Sequence, residues 1–169
     1  QFFPERIRKK SVILKNPLNP SFVREGFEGE RERCIHAVGR MDANKNHEMI
    51  LRAFAALAAD FPEVRLVIYG NGECREPLIK LSEQLGLSER ISLPGAVSDV
   101  ADKIYRSSAF VLSSYSEGMP NTLIEAMCMG LPVISTDCPC GGPAELIEDG
   151  VNGYLIPPGD GKALEERLR

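Results

Sequence analysis

Short apolar runs alternate along this chain with longer stretches in which apolar positions recur every three to four residues, the rhythm of strands and helices taken in turn. Cys34–Val38, Val64–Tyr69, Ile91–Leu93, Ala109–Leu112 and Pro132–Ser135 are brief and nearly all apolar, as strands covered on both faces are. Between them, Ile50, Leu51, Phe54 and Leu57 share one face of a helix predicted over His47–Ala59, and Pro62 closes that connection. A second helix is predicted over Leu78–Leu85, with Gly86 in the position that ends it. Asp99–Arg106 and Asn121–Met129 follow the same period. Pro120 suits the start of the latter, where its missing N–H costs nothing, and Gly130 stops it. A closing helical pattern runs to Leu168-Arg169.

Upstream, Val12–Leu14 followed by Asn16-Pro17 reads as an extended segment entering a turn, and residues 15 to 32 as a polar linker. The expected organisation is a tail and interdomain linker over 1–32, then one folded domain over 33–169. The abrupt start at Gln1 suggests a fragment of a longer protein. Strands and helices in this alternation predict an α/β fold, a doubly wound, Rossmann-like parallel sheet whose ligands bind beyond the carboxyl ends of the strands.

Composition narrows the classes without naming one. A chain of 169 residues buries about two thirds of its unfolded surface on folding, so no metal or disulfide is needed to complete the core. Twenty basic residues against 24 acidic ones give a net charge of −4, which lacks the basic field that nucleic-acid binding requires. The cluster Arg6, Arg8, Lys9 and Lys10 reads as a solvated run. No apolar stretch reaches the roughly 18–20 residues of a membrane-spanning helix. Five cysteines, an odd number, argue against a disulfide framework and for a reducing cytoplasm. Cys138-Pro139-Cys140 invites a zinc reading, but no second cysteine pair follows and the only histidines are His36 and His47, so no metal site is expected.

The unusual residues fall after the predicted strands. Gly39 allows a close backbone approach, while Arg40 offers a planar fork of donors and Lys45 a compact charge. Two cations at one strand end suit a diphosphate, and they also suit an ordinary charged surface. Ser116–Leu123 joins a buried strand to a helix whose first N–H groups lack internal partners, a good seat for phosphate or simply a tight turn. Glu117 and Glu125 bring carboxylates into an apolar context, where they accept from sugar hydroxyls or pair with a nearby arginine. Gly70-Asn71-Gly72 resembles the opening of a dinucleotide fingerprint, but Arg75 stands where the third glycine belongs, which argues against NAD.

Taken together, Gly39-Arg40 with Lys45-Asn46, Ser116-Glu117-Gly118-Met119-Pro120, Glu125-Ala126-Met127, Gly130–Ile134 and Asn152–Leu155 resemble the C-terminal domain of the family-four, GT-B-fold retaining glycosyltransferases, in order from about Asn16 to Gly159. The resemblance implies a nucleoside-diphosphate-sugar site that needs no essential metal or cofactor. Arg40 and Lys45 would hold the diphosphate, and the backbone of Thr122 and Leu123 an α-phosphate. Glu117, with the backbone of Gly118 and Met119, would contact the transferred sugar. Glu125 would accept the ribose hydroxyls, beside Asn121. The base would lie near Gly70, Asn71 and the Pro94–Val97 turn. Cys138–Glu145 resembles a variant found in bacterial transferases that use UDP-sugars, and the same glycines and prolines also serve as plain turn residues. The implied partners are a nucleotide-sugar donor and, through an N-terminal domain absent from this chain, a saccharide or lipid-linked acceptor. The implied place is the cytoplasm, with room for peripheral association at the inner face of the plasma membrane. A non-catalytic nucleotide-binding module and a sugar-nucleotide epimerase of the same architecture stay open as alternatives.

Overall fold

The computed structural model describes residues 3–12 and 16–169. The extended segment read at Val12–Leu14 therefore falls largely outside the described residues. A single turn of helix, α1 (Glu5–Arg8), and the turn after it carry the exposed basic cluster, with Lys9 and Glu5 paired at 3.0 Å.

Beyond it the chain alternates as the periodicity requires: β1 (Glu32–Val38), α2 (His47–Leu57), β2 (Arg65–Tyr69), α3 (Arg75–Gln84), β3 (Ile91–Gly95), α4 (Val100–Ile104), β4 (Ser107–Leu112), α5 (Asn121–Cys128), β5 (Val133–Thr136), α6 (Gly142–Leu146), β6 (Tyr154–Ile156) and α7 (Gly161–Leu168). The six strands form one sheet in the order β3-β2-β1-β4-β5-β6, and each neighbouring pair is parallel. That is a doubly wound, Rossmann-like α/β sheet.

Alternate strand residues feed two cores, because successive side chains point to opposite faces. Ile35, Ala37, Leu66, Ile68, Val111 and Ile134 pack with Ile50, Phe54 and Leu164, under α2, α3 and α7. Tyr69, Phe110, Leu112 and Val133 pack on the other face with Ile104, Leu123 and Ala126, under α4 and α5. Phe22, in a short 3₁₀ turn over Pro20–Phe22, joins this second cluster. Arg31 then donates to the Ser107 carbonyl at 3.1 Å and the Gly130 carbonyl at 2.8 Å, and Tyr105 Oη donates to the Glu25 carbonyl at 2.7 Å. The segment that reads as a polar linker is thus held against the sheet over Pro20–Arg31 by one aromatic anchor and several side-chain bonds.

Element boundaries differ from the periodic reading where tertiary bonds intervene. Helix α3 starts three residues before Leu78, because Cys74 N–H donates to the Met41 carbonyl at 2.9 Å and turns the chain early. Strand β4 starts at Ser107 instead of Ala109, since Ser107 Oγ satisfies itself on His36 Nδ1 and the Ile104 carbonyl, each at 2.6 Å. The Cys138–Glu145 segment runs into α6, whose Gly142-Pro143 start masks it from a propensity reading.

Candidate functional site

In a doubly wound sheet, ligands bind where neighbouring strands send their crossovers in opposite directions. Here that pair is β1 and β4, so the relevant loops are Gly39–Asn46 and Ser113–Pro120. These loops are joined directly: Tyr115 N–H donates to the Asn44 carbonyl at 2.8 Å, and Asn44 Nδ2 donates to the Ser116 carbonyl at 3.0 Å. The loop after β2 closes the third side. Gly39 N–H donates to the Tyr69 carbonyl at 3.0 Å, Met41 N–H to the Asn71 carbonyl at 2.9 Å, and Gly70 N–H to the Gly95 carbonyl at 3.0 Å. A Cβ at Gly70, whose φ is +140°, would collide with the Gly39 carbonyl. Gly70, and Gly72 against the Met41 carbonyl, are the condition for these loops to touch.

At the centre, Lys45 Nζ and Glu117 Oε1 lie 2.5 Å apart, with side chains only 19% and 14% exposed. Ser114 Oγ donates to the same Oε1 at 2.6 Å. Lys45 is fixed through its main chain as well: Asp42 Oδ1 accepts from its N–H at 3.0 Å, and Ser113 Oγ donates to its carbonyl at 2.6 Å. Gly39 lies beneath the Lys45 stem, its Cβ position 3.4 Å from Cε. The pair is therefore held from both loops, and Glu117 Oε2 takes part in no hydrogen bond among the described residues.

Beside this pair stands the start of α5. Pro120 supplies no side-chain cap, and the N–H groups of Asn121 and Thr122 find no partner among the described residues. Leu123 N–H, in contrast, already donates to the Pro120 carbonyl at 3.1 Å, so Thr122 is the freer of the two donors singled out from the sequence. Asn121 Oδ1 accepts from Asn16 Nδ2 at 2.8 Å. Glu125, in the second turn, is half-buried and makes no ion pair or side-chain hydrogen bond among the described residues, and burial pushes its carboxyl above the usual value. The nearby-arginine alternative is not what the fold presents.

The loop after β5 lies underneath. Thr136 Oγ1 donates to the Ser114 carbonyl at 2.6 Å, and Cys138 Sγ sits 3.3 Å from the same oxygen. Gly142 abuts the Gly118 carbonyl so closely that a Cβ there would collide with it. The Cys138–Glu145 segment thus supports the Glu117-Gly118 turn from below.

Of the residues singled out from the sequence, Gly39, Lys45, Glu117, Gly118, Met119, Asn121, Thr122 and Glu125 gather along this edge of the sheet. Gly70 and Asn71 border it through their backbone contacts with Gly39 and Met41. Arg40 stands apart from the central pair: its side chain is 76% exposed and its Nε lies 3.3 Å from Asp42 Oδ2. Val97 lies farther out, in a shallow cleft at the β2–β3 edge with Tyr69, Pro94 and Lys103. A cavity of about 610 Å³ lined by Ile35, Ala109, Val133 and Leu168 sits toward the amino ends of the strands and contains none of these residues. No group of three or more potential metal ligands occurs among the described residues. Sequence reasoning missed Asp42, Ser113, Ser114 and Thr136. The signal was present in part, since serines that continue a buried apolar strand must find a hydrogen-bond partner.

The family described as glycosyl transferases group 1 matches residues 20–169. The lipopolysaccharide 1,6-galactosyltransferase of Salmonella typhimurium is 38% identical over 156 residues, covering 89% of this chain and 40% of that protein. The pneumococcal O-GlcNAc transferase GtfA, solved with UDP and GlcNAc, superimposes with a TM-score of 0.77 at 26% identity, over 86% of this chain and 30% of its own. The C-terminal domain of a group 1 glycosyl transferase (LpcC) from Francisella tularensis shares the fold, with a TM-score of 0.75 at 24% identity, over 88% of this chain and 84% of its own. The chain spans less than half the length of the curated relatives it matches.

Proposed function

This chain belongs to the glycosyl transferases group 1 family, and from that premise we propose that it is the donor-binding half of a hexosyltransferase that takes a sugar from a UDP-sugar, with retention at the anomeric carbon, in bacterial surface polysaccharide synthesis. The observation that carries this reading is the Lys45–Glu117 pair at the β1/β4 switch point, beside the uncapped start of α5. A cation and free N–H donors at one strand edge suit a diphosphate, and the positioned carboxylate beside them suits the sugar it carries. Lys45 and the Thr122 N–H take the diphosphate, Glu117 the transferred hexose, and Glu125 the ribose. The base lies over Asn71 and toward Val97. The names of relatives add support, among them the Salmonella galactosyltransferase and the UDP-bound GtfA.

As the bond from the anomeric carbon to the diphosphate oxygen breaks, negative charge grows on the departing UDP. Positive groups fixed in advance stabilise that charge most, because they need not reorganise as the reaction proceeds. Lys45 is such a group. Arg40, exposed and paired with Asp42 alone among the described residues, swings onto the diphosphate once a donor is bound. Cations and helix N–H groups then supply the positive field without an essential metal. The acceptor, a saccharide or lipid-linked sugar, is held by the part of the protein outside this chain, at the cytoplasmic face of the membrane. No helix among the described residues is long and apolar enough to cross that membrane.

Calorimetry of this chain with UDP, GDP, ADP and NAD, with and without chelator, tests the reading. UDP binding that is indifferent to chelator is the expected result. A preference for NAD, or an affinity abolished by chelator, would overturn it.

A further inference from the structure

We infer that the consecutive serines Ser113 and Ser114, directly after β4, are positioning residues that set the two members of the central ion pair separately: Ser113 the lysine, Ser114 the glutamate. The inference rests on the donor-site reading above and adds to it the residues that determine whether the hexose is recognised.

Both serines are buried, with exposures of 1% and 0%. A buried hydroxyl is costly unless it is hydrogen-bonded, so an apolar side chain would fill either position at less cost if packing were all that mattered. Each hydroxyl instead has a particular acceptor. The two hydroxyls diverge, one to the loop after β1 and the other within the loop after β4 itself. Ser113 Oγ goes to the Lys45 carbonyl at 2.6 Å and holds the loop that carries the cation. Ser114 Oγ goes to Glu117 Oε1 at 2.6 Å.

The second bond has a chemical consequence. Glu117 Oε1 receives both Lys45 Nζ and Ser114 Oγ, which holds the carboxylate and leaves Oε2 as the oxygen without a partner among the described residues. An ionised carboxylate is purely an acceptor, so Oε2 is then the group presented to a sugar hydroxyl. Ser114 is itself held from below. Its carbonyl accepts from Thr136 Oγ1 at 2.6 Å and meets Cys138 Sγ at 3.3 Å, and both of those residues are buried. Order passes from the end of β5 through Ser114 to the carboxylate, and none of these supporting residues need touch the ligand.

The two serines therefore separate in their effects. Removing the Ser114 hydroxyl frees Glu117 to rotate and weakens recognition of the hexose, while the nucleotide and diphosphate contacts stay. Removing the Ser113 hydroxyl loosens the Lys45 loop and weakens UDP and UDP-sugar together.

The test is calorimetry of UDP, UDP-galactose and UDP-N-acetylgalactosamine on the wild-type chain and on the Ser113→Ala, Ser114→Ala, Ser114→Cys and Glu117→Ala variants, with the ligand-free melting temperature of each. The quantity that matters is the ratio of UDP-sugar to UDP affinity, which a general loss of stability does not move. Ser114→Ala is expected to lower that ratio by roughly tenfold, the scale of one hydrogen bond to a charged group, with UDP affinity kept. Ser114→Cys preserves the volume with a weaker donor, and it carries the test if the alanine variant does not fold. Ser113→Ala should lower both affinities and leave the ratio alone. If Glu117→Ala lowers the ratio and neither Ser114 variant does, the positioning role is wrong while the donor-site reading stands. If Glu117→Ala leaves the ratio unchanged, Glu117 does not hold the hexose and both fall.

Discussion

Glu125 separates a ligand-binding carboxylate from a structural one by the sign of two effects. It sits half-buried in the second turn of α5, with no ion pair or side-chain hydrogen bond among the described residues, and burial raises its carboxyl above the ordinary 4.5. A carboxyl whose folded value lies above its unfolded value stabilises the fold fully only below the unfolded value, and that contribution is lost as pH rises through the folded one. At neutral pH the ionised group is therefore tolerated at a cost. Glu125→Gln removes the charge and keeps the shape, so the ligand-free melting temperature should stay level or rise slightly. UDP affinity should move the other way. Loss of hydrogen bonds between a charged acceptor and the ribose hydroxyls is worth ~1.5–3 kcal/mol, or about ten- to a hundredfold in Kd. UDP and UDP-sugar should lose equally, because both carry the ribose. The assay pairs calorimetry at pH 7.5 with scanning calorimetry of the free chain. A lowered melting temperature with unchanged UDP affinity would refute the reasoning, since it would mean that Glu125 serves the fold and not the ligand.

Two further outcomes follow from other parts of the fold. Burial holds His36 and His47 down to about 4 from 6.5, so both are neutral in the fold and take up protons on unfolding. Stability is then complete above pH 6.5 and is lost as pH falls toward 4. At pH 5 the loss is ~2 kcal/mol for each histidine, a large share of the ~5–15 kcal/mol typical of a domain. Urea midpoints at pH 7.5 and 5 measure it, His47→Gln should flatten the dependence, and equal midpoints in the wild type would contradict it. Gly142→Ala places a methyl group against the Gly118 carbonyl and should cost ~1–3 kcal/mol of stability as the Glu117-Gly118 turn is displaced. UDP-sugar affinity should fall with it, and a variant that melts and binds like the wild type would show that the turn is not supported from below.

Much of the architecture is local information. The apolar residues of β1, β2, β4 and β5 and the face of α2 that carries Ile50, Leu51, Phe54 and Leu57 are legible because cover on both faces makes a strand a short continuous apolar run and cover on one face gives a helix a period of 3.6, whatever the rest of the chain does. The glycines that end α3 and α5 are legible for a second local reason: Gly86 and Gly130 have φ of +70° and +67°, a conformation that most other residues resist. Gly39, Lys45, Glu117 and Glu125 stand out as unusual residues after predicted strands, but each by itself also fits a bland surface or turn reading. Only the strand order made them one site, since it put β4 beside β1 and so brought Lys45 to Glu117 across 72 positions of sequence. The same long-range pairing decided what Ser113, Ser114 and Thr136 are for, set Phe22 into the core from a segment that reads as linker, and left Arg40 out in solvent. Periodicity reports which side of an element is buried, whereas a hydrogen bond between loops depends on which elements become neighbours, and that is settled only when the whole sheet has formed.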